Sequence, residues 1–331
     1  MEQERKSMRI GLAVIACALI FRLVCAGPAQ WLTGLFSSPK LASVIIFLET
    51  GRVVRTGQTG AGKEQNVSVQ SPVREQISFC REDASLVELS ADCDYAVDVE
   101  AMLTEALSWD LTGDGPTVLI LHSHATEAYT QTAQMSYTPS SLYRTEDPQY
   151  NVVRVGARLA ELLRAGGVQV IHDTALHDYP DYNGSYSQAR KSTRQYLEEN
   201  PSICLVVDIH RDALDLSSSQ QLTTHAKVNG QDCAQLMMVV GTDAGGNYHP
   251  NWQENMALAI KLHTVLEKET PGICRPISFR NQRFNQDLSP GAMLIEVGAA
   301  GDTLEEALLA AEMLAEGILA LSAGIIAPSA S

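Results

Sequence analysis

The chain has 331 residues, 45% of them hydrophobic, so it can bury a sizeable core and is no disordered polymer. Its formal charge of -15 excludes a nucleic-acid binder, which needs a basic stripe to neutralise phosphates, and no Lys/Arg cluster with interleaved aromatics occurs. Seven scattered cysteines include no C-x-x-C pair, which excludes a zinc ribbon or a thioredoxin motif.

The N-terminus opens with MEQERKSMR, a short segment carrying Arg5, Lys6 and Arg9. Residues 10–27 are then apolar apart from Arg22, long enough for one membrane crossing with positive charge on the cytoplasmic flank. This pattern predicts a cytoplasmic tail over 1–9 and a transmembrane anchor or uncleaved signal over 10–27, with everything after it extracytoplasmic. In that compartment Cys80 and Cys93 are free to pair. Residues 28–114 read as a stalk or accessory region: an apolar stretch over 41–51, a Gly/Gln/Ser-rich linker over 57–71, and weak helical periodicity over 84–109.

From Thr117 the pattern becomes regular, and a domain is expected over 115–325. Residues 117–121 read as a strand. Residues 151–165 place Val152, Val155, Leu159, Leu162 and Leu163 on one helical face, and Gly166-Gly167 ends the helix. A strand over 168–171, a polar helix over 187–199 and a strand over 203–209 follow. Residues 225–228 and 235–241 flank Asn229-Gly230, a hairpin signal. A helix is expected from Asn251 to Lys268 and a strand over 292–297. Thr303 with Glu306 forms a capping box for a last helix reaching about Leu321. Strands alternating with helices predict an α/β fold, a mostly parallel sheet with helices on both faces. In such sheets sites gather beyond the carboxyl ends of the strands.

Three of those ends carry chemistry. The first, TVLILHSHATEAYT, supplies His122 and His124, with Glu127 a loop-step later. The second, ending near Ile209, delivers His210, Arg211 and Asp212. The third, MLIEVG, holds Glu296 between Ile295 and Val297, where a lone ionised carboxylate is costly unless paired or bound to a metal. A catalytic zinc wants three His or carboxylate ligands, an open position and a nearby general base, and two histidines with two glutamates meet that need. His122 and His124 share a face if the strand alternation continues, so either is a candidate ligand.

Other classes fit less well. His210-Arg211-Asp212 resembles a kinase catalytic loop, but Ser217 stands at its asparagine position, and there is neither a Gly-rich loop nor D-F-G. No G-x-S-x-G elbow points to serine hydrolysis. An amidohydrolase barrel needs about 250 residues, more than the regular region offers.

The blocks LILHSHATEAYT, NVVRVGARLAELL, HDYPDYNGSY, VVDIHRDAL, VGTDAGGNYHPNWQENMALAIKL and RFNQDLSPGAMLIEVGAAGDTLEEAL, in this order, resemble the stage II sporulation protein P family. They span about 117–310. The resemblance implies a zinc N-acetylmuramoyl-L-alanine amidase with endopeptidase action on stem-peptide cross-links of peptidoglycan. It also implies a single N-terminal anchor in the cell membrane, with the domain between the mother-cell and forespore membranes. A lytic transglycosylase, the stage II sporulation protein D, is the implied partner during septal wall thinning and engulfment. Carried over by position, His122, Glu127 and His210 would bind the zinc and Glu296 would act as catalytic base. His124 would be a second catalytic group or replace His122. Asp302 stands where the family pattern leads to asparagine, and HDYPDYNGSY reads as a substrate-groove loop or as a turn capping the next helix. His249 is open between a site and a structural role, while His172, His177, His225 and His263 read as structural. The competing function is a membrane-tethered scaffold that holds a partner hydrolase on the wall.

Overall fold

The computed structural model describes residues 79–104, 107, 110–214 and 222–324. The anchor expected over 10–27 and the linker over 57–71 lie outside the described residues. Among those described, no helix is long and apolar enough to cross a membrane.

The strands are β1 (Leu89–Ala91), β2 (Val118–Leu121), β3 (Val170–His172), β4 (Leu205–Asp212), β5 (Ala226–Val228), β6 (Gln231–Cys233), β7 (Leu236–Val240), β8 (Ile277–Phe279) and β9 (Ala292–Ala299). The α-helices are α1 (Val99–Thr104), α2 (Val152–Ala165), α3 (Ser185–Glu199), α4 (Trp252–Glu269) and α5 (Leu304–Gly324). Seven strands form one sheet in the order β1-β8-β7-β9-β4-β2-β3. Pairing is parallel throughout except between β7 and β9. The expected mostly parallel α/β sheet is therefore present, with one antiparallel seam.

Strand alternation divides the sheet's side chains between two layers. Val118 and Ile120, Leu205, Val207 and Ile209, and Met293, Ile295 and Val297 face a large core that includes residues of α1, α2, α4 and α5. Leu119, Leu121, Val206 and Ala292 face the opposite layer, where Ala189 of α3 packs. The amphipathic α2 shows why the first layer forms. Val152, Val155, Leu159 and Leu163 are fully buried, each contributing roughly 1.5–3 kcal/mol of transfer free energy. Asn151 caps this helix by accepting from the Val153 amide at 3.0 Å. The Thr303–Glu306 capping box also forms: Glu306 accepts from the Thr303 amide at 2.7 Å, and Thr303 Oγ1 accepts from the Glu306 amide at 3.3 Å.

Three expectations are revised. The turn at Asn229-Gly230 is a hairpin turn with both residues at positive φ, 52° and 83°. Its second strand is β6, whereas β7 enters the main sheet antiparallel to β9. Residues 79–104, expected as part of a stalk, are packed on the domain. β1 pairs with β8 at the sheet edge, and Met102 and Leu103 of α1 are buried in the main core. Cys80 and Cys93 are both free thiols.

Helix α3 is held to the loop before β9 by one ion pair. Arg190 donates to both carboxylate oxygens of Asp287, at 2.7 and 2.6 Å, and to Asn285 Oδ1 at 3.3 Å. Burial alone would raise the Asp287 carboxyl, and the Arg190 guanidinium overcomes this and lowers it. Arg190→Ala should cost about 2 kcal/mol at pH 7, read by urea unfolding. A carboxylate depressed in the folded state contributes stability above its unfolded pKa of about 3.9. The difference between wild type and variant should thus shrink as pH falls through and below that value. A second packing constraint lies in α2, where a Cβ on Gly156 would meet His122 Cε1 at 2.5 Å and His172 Nε2 at 2.9 Å. Gly156→Ala should lower stability by roughly 1–3 kcal/mol despite alanine's better helix propensity. A more stable variant would contradict this contact.

Candidate active site

The parallel strands β9, β4 and β2 lie side by side, and their carboxyl ends bring the three sequence-predicted segments together. His210 on β4 is the direct register partner of Glu296 on β9, whose other neighbour is Met237 on β7. By strand parity, Asp208, His210 and Glu296 point to the layer of Val206 and Leu294, the face that carries α3.

Asp208 fixes the end of β2 against β4. Its buried carboxylate accepts from the Ser123 amide at 2.7 Å and from Ser123 Oγ at 2.6 Å. The same carboxylate lies 3.1 Å from His210 Nε2. That approach is off the line a hydrogen bond requires, so Nε2 stays without a hydrogen-bond partner. Burial alone would lower His210, and the Asp208 charge outweighs it and raises the imidazole well above its ordinary value.

The two histidines of the opening motif separate. His122 is fully buried. Its Nδ1 is 3.1 Å from the Ile209 carbonyl and its Nε2 is 2.9 Å from His172 Nε2, so both ring nitrogens have partners away from Glu127. Burial, with His172 beside it, lowers it to about 3, a neutral ring at any working pH. His124 instead stands edge-on to the His210 ring at 5.3 Å. It stacks on Tyr182 at 4.6 Å and meets Tyr186 edge-on at 5.3 Å. Its Nδ1 is buried and has no partner, and burial lowers the ring to about 4.

Glu127 joins this side of the site. Its Oε2 lies 3.5 Å from His210 Nδ1 and accepts from the Arg211 amide at 3.3 Å. Its Oε1 accepts from Arg144 at 3.3 Å and lies 3.7 Å from the Arg211 guanidinium. Burial would raise this carboxyl, and Arg211 with His210 overcomes the cost, holding it below the usual range. Arg144 extends outward, donating to Asp178 at 2.7 Å and lying 4.6 Å from the centre of the Tyr182 ring. Asp178 also accepts from Thr126 Oγ1 at 2.6 Å. Sequence reasoning did not single out Asp208, Arg144, Asp178 or Tyr186. The tyrosine-rich block 177–186 was the available signal for the last, and it does lie against His124.

Glu296 makes no ion pair among the described residues, and neighbouring His210 and Arg211 offset its burial only in part. Its Oε2 is buried without a partner, and burial pushes the carboxyl well above the usual carboxylate range. His249, left open above, is buried with both ring nitrogens unpartnered. Asp302 accepts from Thr224 Oγ1 at 2.7 Å and the Ala299 amide at 2.7 Å, a turn-forming role.

Among the described residues, no three His, Cys, Asp or Glu side chains are drawn as close together as a metal would hold them. The donor set nevertheless fits a cation. Of the seven buried, unpartnered polar side-chain atoms among the described residues, three of a metal-donor type belong here: His124 Nδ1, His210 Nε2 and Glu296 Oε2. Buried polar atoms are rarely left unsatisfied, and imidazoles that lose their proton on binding, with carboxylates beside them, are zinc donors.

A model of the family described as Stage II sporulation protein P matches residues 53–319. A curated relative, Stage II sporulation protein P of Bacillus subtilis (strain 168), is 29% identical over 216 residues, which are 62% of this chain and 51% of that protein. The chain thus spans about half the length of the curated relative it matches. Solved structures similar to it include an N-acetylmuramoyl-L-alanine amidase of Nostoc punctiforme, 18% identical with a TM-score of 0.36, covering 62% of this chain and 97% of that one. The catalytic domain of another such amidase, from Bacillus (Paenibacillus) polymyxa, is 14% identical with a TM-score of 0.37, covering 63% and 96%. Similarity at these scores carries no argument, and the fold rests on the sheet described above. The family match covers most of the chain, and this protein belongs to the stage II sporulation protein P family.

Proposed function

We propose that this protein is a zinc-dependent peptidoglycan hydrolase, an N-acetylmuramoyl-L-alanine amidase that also cuts stem-peptide cross-links. The observation that supports it most is the facing pair His124 and His210, with Glu127 beside them and Glu296 unpartnered on the adjacent strand. Family membership supports the sporulation context. The membrane anchor over 10–27, the intermembrane location and the partner transglycosylase belong to the same proposal and rest on the family resemblance.

In this reading His124, Glu127 and His210 hold the zinc, and His122 is a buried packing residue whose nitrogens are committed to Ile209 and His172. Bound zinc polarises a carbonyl and lowers the pKa of water at its open position. The protein's residues do the rest. Glu296, with its proton affinity raised by burial, takes the proton of the attacking water and delivers it to the departing amine nitrogen. Asp208 and Arg211 hold His210 and Glu127 in place, and Tyr182, half exposed over His124, covers the approach.

The amidase and scaffold readings differ in products. Purified glycan strands incubated with the zinc-loaded protein should release free stem peptides, and cross-linked dimers should fall to monomers. Release that persists unchanged in excess chelator would sink the metal-dependent reading, and wall binding without any release would favour the scaffold. The ligand assignment has its own test in metal content. His124→Ala and His210→Ala should each weaken zinc affinity at least roughly 100-fold. His122→Ala should keep its zinc and lose about 2 kcal/mol of stability. Loss of zinc from the His122 variant alone would return His122 to the ligand set.

A further inference from the structure

We infer that Tyr186 is a catalytic residue of this site, its hydroxyl donating a hydrogen bond to the carbonyl oxygen of the scissile amide as that carbon becomes tetrahedral. The inference rests on the hydrolase reading above and adds a named donor to it.

The ring of Tyr186 is fixed by three neighbours. It stands edge-on to His124 at 5.3 Å, nearly parallel to His210 at 6.3 Å with 16° between planes, and against Phe284 at 6.1 Å. Its backbone is fixed as well, since the Tyr186 carbonyl accepts from Asn285 Nδ2 at 2.8 Å. Two rings proposed to bind the metal thus define where this phenol lies. The hydroxyl itself has no hydrogen-bond partner among the described residues, whereas the buried Tyr129 hydroxyl donates to the Val297 carbonyl at 2.9 Å. Half-buried beside the acid–base cluster, the Tyr186 hydroxyl lies within electrostatic range of Asp208, Glu296, Glu127 and His210.

Elimination strengthens the assignment. Water adds its oxygen to the carbonyl carbon, its proton passes to Glu296, and the carbonyl π pair moves onto the oxygen. That charge needs a donor aimed at it. Three main-chain donors at the strand ends are already committed, the Ser123 amide to Asp208, the Thr126 amide to Asp178 and the Arg211 amide to Glu127, and the Arg211 guanidinium lies against Glu127 at 3.7 Å. Arg144 is bound to Glu127 and Asp178. The Tyr186 hydroxyl is uncommitted. When the carbonyl re-forms, the C–N bond breaks and Glu296 returns the proton to nitrogen, leaving a carboxylic acid and a free amine, and the Tyr186 proton never leaves its oxygen.

The test compares Tyr186→Phe with Tyr186→Leu in the full chain loaded with zinc. Tyr186→Phe keeps the ring, so zinc per chain, melting temperature and KM for glycan strands should match wild type while kcat falls about 100-fold. Tyr186→Leu removes the ring too and should lose zinc affinity in addition. A Tyr186→Phe kcat within about threefold of wild type would overturn the assignment, as would a loss of kcat matched by an equal loss of zinc. Failure of the underlying hydrolase reading looks different: the wild type itself would then release no product, or release it regardless of chelator, and the role of Tyr186 would fall with it.

Discussion

The Asp208 carboxylate organises the site. It sits on β4, fully enclosed, and takes two short hydrogen bonds from Ser123 at the point where β2 ends. It also faces His210 from two residues away on its own strand. A buried carboxylate with too few donors would be expensive, so these bonds keep the end of β2 in register with β4. Once Ser123 is pinned, its two histidine neighbours are directed apart. His122 enters the core beside Gly156, and His124 comes round to face His210. Removing that carboxylate would therefore disturb two strand ends together.

Charge balance around Glu127 follows from the same enclosure. Two arginines and one imidazole approach a single buried carboxylate. Arg211, fully buried, also donates to the Ala128 and Tyr143 carbonyls at 3.0 Å each, so its charge is held by the backbone of the loop it supports. Arg144 reaches the solvent side and links Glu127 to Asp178 and the Tyr182 ring. The cationic surplus offsets the desolvation of Glu127 and keeps it ionised. Glu296, one strand away, lacks such a partner and stays basic. Two glutamates in one site thus acquire different proton affinities from their surroundings, the pattern that the proposed division of roles between them needs.

Much of this arrangement was legible in the sequence, and the losses have physical causes. The long strands and helices were visible because their apolar periodicity is strong, as in α2, and the Thr303–Glu306 capping box marked a real helix start, while Asn251 precedes α4 without a side-chain cap bond. The three-residue strands β1 and β8 carry too little pattern to be seen, and they exist because neighbours offer them an edge. The antiparallel entry of β7 was hidden because a fully buried strand reads alike in either direction. At the site, Glu296 was conspicuous as a carboxylate in an apolar strand. The separate placement of His122 and His124 could not be read, because alternation applies only while the strand lasts and β2 ends at Leu121. A glycine in the middle of an amphipathic helix, Gly156, was the overlooked sign that a bulky group from the sheet approaches α2 closely.

The uneven cover of the sheet explains why chemistry collects on one face. Four helices contribute to the core on the first face. Among the described residues, the second carries only α3 of the helices, with a small apolar patch of Met237, Val239 and Leu294 beside Phe284. Glu296 lies on that less protected side, in line with Leu294 and next to Met237, so its surroundings are apolar without being sealed under a helix layer. Such a wall excludes the water that would lower the carboxyl's proton affinity. Tyr182 and Tyr186, four residues apart at the start of α3, then close the remaining side with their rings against His124. A site built this way takes its depth from the sheet and its shape from one short tyrosine-bearing segment. On the proposed hydrolase reading, differences in which stretch of substrate fits should therefore map to that segment more than to the strands.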